Sequence, residues 1–386
     1  MKVTFVSNFF NHHQKPFSDM MYKLTDSSYR FVSTEQMPLV RKEMGYDKIS
    51  VPEYVIDSSL DTESQSMAKS IIEKSDVVIA GSVTEDYLYK YIQMNNLLFR
   101  YSERQFKSFS DRLKFPLRYI KLHKSNPKGK KIYLLAASAY SYHDYKFLGL
   151  FKNRAYKWGY FPKTIEYDIE QLLRKKDKNK ILWCGRFLDL KHPDDALQVA
   201  KRLKVAGYVF TMNIIGTGAL EQKLKDMIEQ YQLNDCVHML GPMPPESVRE
   251  YMESSQIFLF TSDRNEGWGA VLNESMNSGC AVVASDAIGS VPYLMQDYEN
   301  GLIYKSGDVN MLFEKVKWLL DNQSFAKVFG KKAYETITTE WNAEVAAERF
   351  LNLASHILAG EKHPDLYKTG PCSKAEITKD GWYKSK

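Results

Sequence analysis

The sequence predicts an α/β protein built from two parallel-sheet domains, and three features predict it. Short apolar, β-prone runs alternate with polar or amphipathic stretches of helical length along most of the chain. The alternation breaks once, in a charged segment near the middle, and then restarts. In the second half, the glycines and charged residues fall just after the apolar runs, where open α/β sheets bind their ligands.

Taken in order, KVTFVSN, YRFVST, DVVIAGS and KIYLLAAS are the expected strands of the first half. The segment GYFPKTIEYDIEQLLRKKDKNK, with Gly159 and Pro162, places the domain junction between Phe161 and Lys180. After it come KILWCGRF as a strand, HPDDALQVAKRLKVAG as a helix and YVFTMNIIGTG as a strand. ALEQKLKDMIEQYQL (helix), CVHMLG (strand), PPESVREYMESS (helix), IFLFTS (strand) and AVVASD (strand) follow. DVNMLFEKVKWLLDN and WNAEVAAERFLNLASHILAG close the chain as helices, before a polar tail from Glu361. The expected domains are residues 1–162 and 163–340, with a helix and tail, 341–386, returning to the first.

Bulk properties exclude several classes. A hydrophobic fraction of 44% and a charged fraction of 26% are those of a soluble globular protein. No run approaches the ~18 apolar residues of a membrane-spanning helix. MKVTFVSNFF reads as a buried first strand rather than a signal peptide. Of the four cysteines, Cys184, Cys236 and Cys280 are expected in the core of a reduced, cytosolic protein and Cys372 in the tail. They include no C-x-x-C pair, so no zinc site is expected.

The net charge of +6 hides a local imbalance. From Arg100 to Lys163 there are sixteen Lys plus Arg against three acids, Glu103, Asp111 and Asp144. Within it, FKSFSDRLKFPLRYIKLHK mixes basic and apolar residues at roughly helical spacing, and Pro116 is expected to end or kink a helix there. Two readings stay open: a solvated basic face, or a surface that meets anionic lipid headgroups or gathers an anionic substrate. No nucleic-acid-binding motif is present, and no nucleic-acid partner is expected.

Four strand ends carry the candidate site. They are Gly185-Arg186 with Lys191, then Gly216-Thr217-Gly218, then Leu240-Gly241-Pro242, then the loop to Glu266. Arg186 and Lys191 can neutralise a diphosphate, one as a fork and the other as a point charge. Gly216 and Gly218 would let backbone approach a ligand. Gly267, Trp268 and Gly269 should form the turn into a helix through Ala270 and Val271, with Glu274 about two turns in. Carboxylates spaced as Glu266 and Glu274 suit hydroxyls at two places on an extended polyol. A ribose and a hexose joined by a diphosphate fit.

With these residues in place, the sequence resembles the retaining glycosyltransferases of the two-Rossmann-domain GT-B architecture, family 4 (group 1) type. EGWGAVLNE matches the family's E-x7-E signature and GRFLDLK its phosphate pair. The resemblance implies two Rossmann-like domains facing a central cleft, the first for acceptor and the second for nucleotide sugar. It implies that Glu266 holds sugar hydroxyls, Glu274 the ribose, and Arg186 and Lys191 the leaving diphosphate. Gly267 to Val271 would contact phosphates and sugar, and Leu240 to Pro242 the base. UDP is the favoured donor base, from its frequency in the family, and neither metal nor other cofactor is expected. In the first half, SNFFNHHQKPFSDMMY replaces a Gly-Gly loop of many relatives and resembles a polysaccharide and O-antigen subgroup. Its His12 and His13 would serve the acceptor, or one simply packs against its neighbour. Tyr293 stands where relatives often carry Glu.

The expected function is transfer of a sugar, with retention, from a nucleotide-diphosphate sugar to a glycan or lipid-linked saccharide. The setting would be cell-surface polysaccharide synthesis, in the cytoplasm or at the inner membrane face. Two alternatives remain: a sugar-nucleotide epimerase of the same architecture, and a non-catalytic nucleotide-sugar-binding subunit.

Overall fold

The computed structural model describes residues 1–39, 49–107 and 115–384. They form two compact units: Met1–Lys163 with Trp341–Thr378, and Thr164–Glu340 with Lys379–Lys386.

The first unit holds β1 (Val3–Ser7), β2 (Tyr29–Ser33), β3 (Val55–Asp57), β4 (Val77–Ala80), β5 (Leu97–Ser102), β6 (Ile132–Ala136) and β7 (Ala155–Lys157). They make one seven-stranded sheet in the order β3-β2-β1-β4-β5-β6-β7, parallel throughout. The second unit holds β8 (Asp177–Cys184), β9 (Thr211–Ile215), β10 (Val237–Gly241), β11 (Ser255–Phe260), β12 (Ala281–Ser285) and β13 (Leu302–Tyr304). Its six-stranded sheet runs β10-β9-β8-β11-β12-β13, again parallel. Both orders reverse direction beside the unit's first strand, the Rossmann arrangement.

Helices cover the sheets, so central strands are apolar on both faces; every residue of β1 and β12 is buried. Helix starts are marked locally. Asp61, Asp168, Asp308 and Asn342 each accept a first-turn backbone N–H, and Pro193 and Pro245 open their helices.

Several elements differ from the sequence expectation. Strands β3, β7 and β13 are three residues long and carry no readable period. Strand β5 hides its apolar start behind Arg100 and Ser102. The helix Gln323–Thr339 was not expected either. Pro116 is the second residue of the helix Phe115–Ser125. Helix continues from Pro116 to Ser125, so the proline does not end it on that side. Residues 108–114 of the basic stretch lie outside the described residues.

The C-terminal part is not a loose tail. Cys372 is buried and its N–H donates to the Lys157 carbonyl at 2.9 Å. Tyr133 and Tyr156 hydroxyls donate to the Lys362 and Pro364 carbonyls, each at 3.0 Å. The last residues group with the second unit rather than the first, because Trp382 Nε1 donates to the Asp286 carbonyl at 3.0 Å and Tyr383 to Asp297 at 2.7 Å.

The helix Ala343–Leu358 completes the first unit's core. Phe350 is fully buried, with ring centroids of Phe99, Trp158 and Phe17 at 5.0, 5.9 and 6.5 Å. Phe350→Ala is expected to destabilise this unit by about 3–5 kcal/mol. Urea denaturation followed by Trp158 fluorescence should show it, and a shift below about 1 kcal/mol would mean that the helix is not part of that core.

Candidate functional site

In the second unit the strand order reverses between β8 and β11, which makes their following loops the natural walls of a ligand crevice. The loop after β8 carries Gly185, Arg186 and a short 3-10 turn, Asp189–Lys191. The loop after β11 carries Glu266. Lys191 Nζ and Glu266 Oε2 form an ion pair across the reversal, with both side chains largely shielded from solvent. The two residues given separate tasks by the sequence reading therefore neutralise each other here.

Backbone hydrogen bonds tie the loops together. The Gly185 N–H donates to the Ile215 carbonyl, Phe187 to Thr217 and Gly216 to Gly241, all at 2.9–3.0 Å. Asp263 N–H donates to the Leu190 carbonyl at 2.9 Å. Thr261 Oγ1 donates to the Lys191 carbonyl at 2.6 Å and accepts from Trp183 Nε1 at 2.8 Å. Lys191 is thus fixed through its own carbonyl by the strand end that leads to Glu266.

This lattice gives a reason for two glycines. A Cβ on Gly216 would lie 1.9 Å from the Gly185 carbonyl oxygen, and one on Gly218 would lie 2.6 Å from the Phe187 carbonyl oxygen. The neighbouring loop by itself already demands their missing side chains. Gly241 has open space around it. It ends an edge strand whose register shifts between Met239 and Gly241, so Leu240 stands out of the ladder as a bulge.

Arg186 is half-buried, and among the described residues no carboxylate pairs with its guanidinium. Glu274 lies in the first turn of the helix Val271–Asn277, one turn earlier than expected. Burial pushes its carboxyl above the ordinary value, against the partial offset of the Arg249 guanidinium. Arg249 itself donates to the Glu274 carbonyl at 2.9 Å and to Asn277 Oδ1 at 3.1 Å. Cys184, at the end of β8, is pushed up to about 12 by burial and by the nearby Glu274 charge, with Lys191 opposing.

Trp268 is fully buried, its Nε1 donating to Asn273 Oδ1 at 2.8 Å and its ring 6.2 Å from Tyr293. Its indole is core. Gly267 is buried too, while Gly269, Ala270 and Val271 are partly exposed at the helix start.

His12 and His13 belong to the first unit, in the turn between β1 and the helix Lys15–Leu24. Their rings lie 3.9 Å apart, the neighbour packing named as one alternative. Asn11 Oδ1 accepts the His13 N–H at 2.9 Å, and Tyr160 is 6.4 Å from the His13 ring.

Sequence reasoning missed the support around Glu266. His192, in left-handed backbone geometry, places Nε2 3.4 Å from Asp263 Oδ2. The hydrogen bond to Asp263 is the main cause that raises the His192 pKa. For Asp263, burial acts upward but is outweighed by His192 and Asn265, leaving it lowered. His192, Asp194 and Asp195 also bring one ligand atom each within 4.8 Å of one another. Asp194, however, is already paired with Lys223 at 2.8 Å. No local pattern marks the His192–Asp263 contact, because it joins residues of different loops.

The family of glycosyl transferases group 1 matches residues 164–336. That match covers nearly all of the segment Thr164–Glu340, so the second unit is similar to group 1 glycosyl transferases. A putative colanic acid biosynthesis glycosyltransferase of Escherichia coli is 29% identical over 181 residues, 45% of this chain and 44% of that protein. A Campylobacter jejuni N-acetylgalactosaminyltransferase, named for an N-acetylgalactosamine-N,N'-diacetylbacillosaminyl-diphospho-undecaprenol acceptor, is 32% identical over 158 residues, 41% of each chain. The match spans less than half the length of these curated relatives. Anabaena HepE, solved in complex with UDP, superposes with a TM-score of 0.68 at 13% identity, covering 92% of this chain and all of that one (100%). At that identity the likeness is one of fold, and it bears out the GT-B class of two Rossmann-like parallel-sheet domains.

Two measurements check the second unit's framework. Gly216→Ala should lower the melting temperature by several degrees (roughly 1–3 kcal/mol of overpacking), since the neighbouring carbonyl must move; an unchanged melting curve would refute the packing role. His192 should titrate above its ordinary 6.5. Because the folded pKa is raised, its stabilisation is full below the unfolded value and fades as pH rises through the folded one. An NMR titration of His192 that does not move downward in Asp263→Asn would contradict the pairing.

Proposed function

We propose that the protein is a retaining glycosyltransferase that moves a sugar from a nucleotide-diphosphate sugar, with UDP favoured, to a glycan or lipid-linked saccharide in cell-surface polysaccharide synthesis. The observation that carries this reading is the Lys191–Glu266 ion pair at the strand-order reversal, beside Arg186 and the desolvated Glu274. The group 1 match and the UDP-bound HepE of the same fold support it. The diphospho-undecaprenol named for the Campylobacter relative supports the lipid-linked acceptor, and with it a site of action at the cytoplasmic membrane face. The cysteines, all free, suit that reducing side.

In this reading the dianionic diphosphate competes with Glu266 for Lys191. Donor binding would draw Lys191 toward phosphate and release the Glu266 carboxylate to accept hydrogen bonds from sugar hydroxyls. Arg186 supplies the second cation, so the charge that grows on the leaving group is met without a metal. Glu274 accepts from the ribose hydroxyls. Partly exposed backbone at Gly185, Gly241 and Gly269 to Val271 lines the donor, and Leu240 the base. The bond from the anomeric carbon to the diphosphate oxygen breaks as the acceptor oxygen bonds to the same face. The acceptor hydroxyl proton passes to the departing diphosphate oxygen. His12 and His13, in the first unit, serve the acceptor.

Arg186→Ala, Lys191→Ala and Glu266→Ala are each expected to cut transfer by at least about a hundredfold, and Arg186→Ala should do so while melting like the wild type. UDP alone should bind Glu266→Gln at least as tightly as the wild type, because that change frees Lys191, and should bind Arg186→Ala at least about tenfold more weakly. Calorimetry with a panel of UDP-, GDP-, ADP- and dTDP-sugars in chelator reads both. Wild-type-like turnover in all three alanine variants would overturn the assignment. Sugar turnover without acceptor would point to an epimerase, and donor binding without transfer to any acceptor would point to a binding subunit.

A further inference from the structure

The helix Phe115–Ser125 has two unlike faces. Phe115, Arg118 and Leu122 turn inward. Phe115 meets Phe147 at 5.3 Å, Arg118 lies over the Phe106 ring at 5.7 Å, and Leu122 packs on the first unit's apolar cluster. His123 Nε2, 2.9 Å from the Leu148 carbonyl, fixes the helix to the segment that carries Phe147. Leu117, Ile120, Lys121 and Lys124 turn outward, at spacings that put them on one stripe. Leu117 is 72% exposed, Ile120 65% and Phe147 68%. A single exposed leucine needs no explanation, but three large apolar side chains grouped beside cations do.

The stretch that carries this stripe is rich in exposed cations. Lys121, Lys124, Lys128, Lys146 and Lys152 are all exposed. Of the acids in residues 100–163, Asp111 lies outside the described residues, and the other two are engaged internally. Glu103 pairs with Lys107 at 2.9 Å and accepts from Tyr160 at 2.8 Å. Asp144 is buried and accepts the backbone N–H groups of Gln105 and Phe106 at 2.8 and 2.9 Å. The cations therefore face solvent; Glu85, brought to the helix end through Arg100, pairs with that arginine at 2.9 Å, which also donates to the Ser125 carbonyl at 2.7 Å.

We propose that this face docks on an anionic lipid bilayer, with Leu117, Ile120 and Phe147 entering the headgroup region and Lys121 and Lys124 meeting lipid phosphates. Aliphatic side chains at the centre of a cationic ring suit a membrane boundary, which is apolar below and anionic above. They offer nothing to the phosphates or base edges of a nucleic acid. The inference stands independently of the sugar-transfer reading, since it needs neither donor nor catalysis.

Vesicle flotation with the purified full-length protein tests it, comparing phosphatidylcholine alone with vesicles containing about a third phosphatidylglycerol. The protein should float with the anionic vesicles, weakly with the neutral ones, and less in about 1 M salt. L117S/I120S and K121E/K124E should each lower the bound fraction at least about tenfold, with unchanged melting because all four positions are exposed. Phe147→Ser should act in the same direction. Equal flotation with neutral and anionic vesicles, or no flotation at all, would overturn the proposal. So would a L117S/I120S variant that floats like wild type while heparin displaces the protein, which would mark a general polyanion surface.

Discussion

Much of the second unit hangs on one junction: two parallel strands, β8 and β11, that lie side by side but whose onward connections leave in opposite directions. A sheet wound this way cannot close the gap between the two departing loops with regular structure. What fills it here is a cation from one loop and a carboxylate from the other, Lys191 and Glu266. Two shielded charges are stable there because each satisfies the other; either one alone would be costly. The same pairing makes the site responsive, since an anionic ligand can take the cation only by displacing the carboxylate.

The neighbouring loops hold this pair in place largely by backbone, with the Thr261 hydroxyl bonding the Lys191 carbonyl. Hydrogen bonds run from the loop after β8 to those after β9 and β11, and from the loop after β9 to that after β10. The contacts are close enough that Gly216 and Gly218 have no room for a Cβ. Positional accuracy at Lys191 thus derives from backbone groups that every residue possesses together with the Thr261 hydroxyl, and at the two glycines sequence enters through what must be absent. The ring of support is completed by His192 with Asp263 and by Arg249 under the helix that carries Glu274.

Most long strands and helices were legible in the sequence because each carries its own period. The candidate residues were legible because a parallel sheet sends its loops to one edge, so charged residues after successive apolar runs must collect there. Contacts between those residues were not legible. Nothing local says that Lys191 faces Glu266, that Gly216 abuts Gly185, or that the Trp268 indole turns into the core instead of toward a ligand. Three-residue strands such as β13 are too short to show a period, and β5 mixes Arg100 into its apolar run. Cys372 sits in a polar, irregular sequence, yet it is buried because the segment is laid against β7.

The first unit is assembled from both ends of the chain, with Trp341–Thr378 returning to residues 1–163. A ribosome delivers residues 1–163 first and the whole of 164–340 next, and only then the helix Ala343–Leu358. Until that helix emerges, the apolar site for Phe350, lined by Phe17, Phe99 and Trp158, stays uncovered. The second unit's sheet is by then complete in the nascent chain. The first unit's core is therefore closed only after the second unit's sheet has been made, and a complete sheet with one apolar face still uncovered is the species that holdase chaperones would meet.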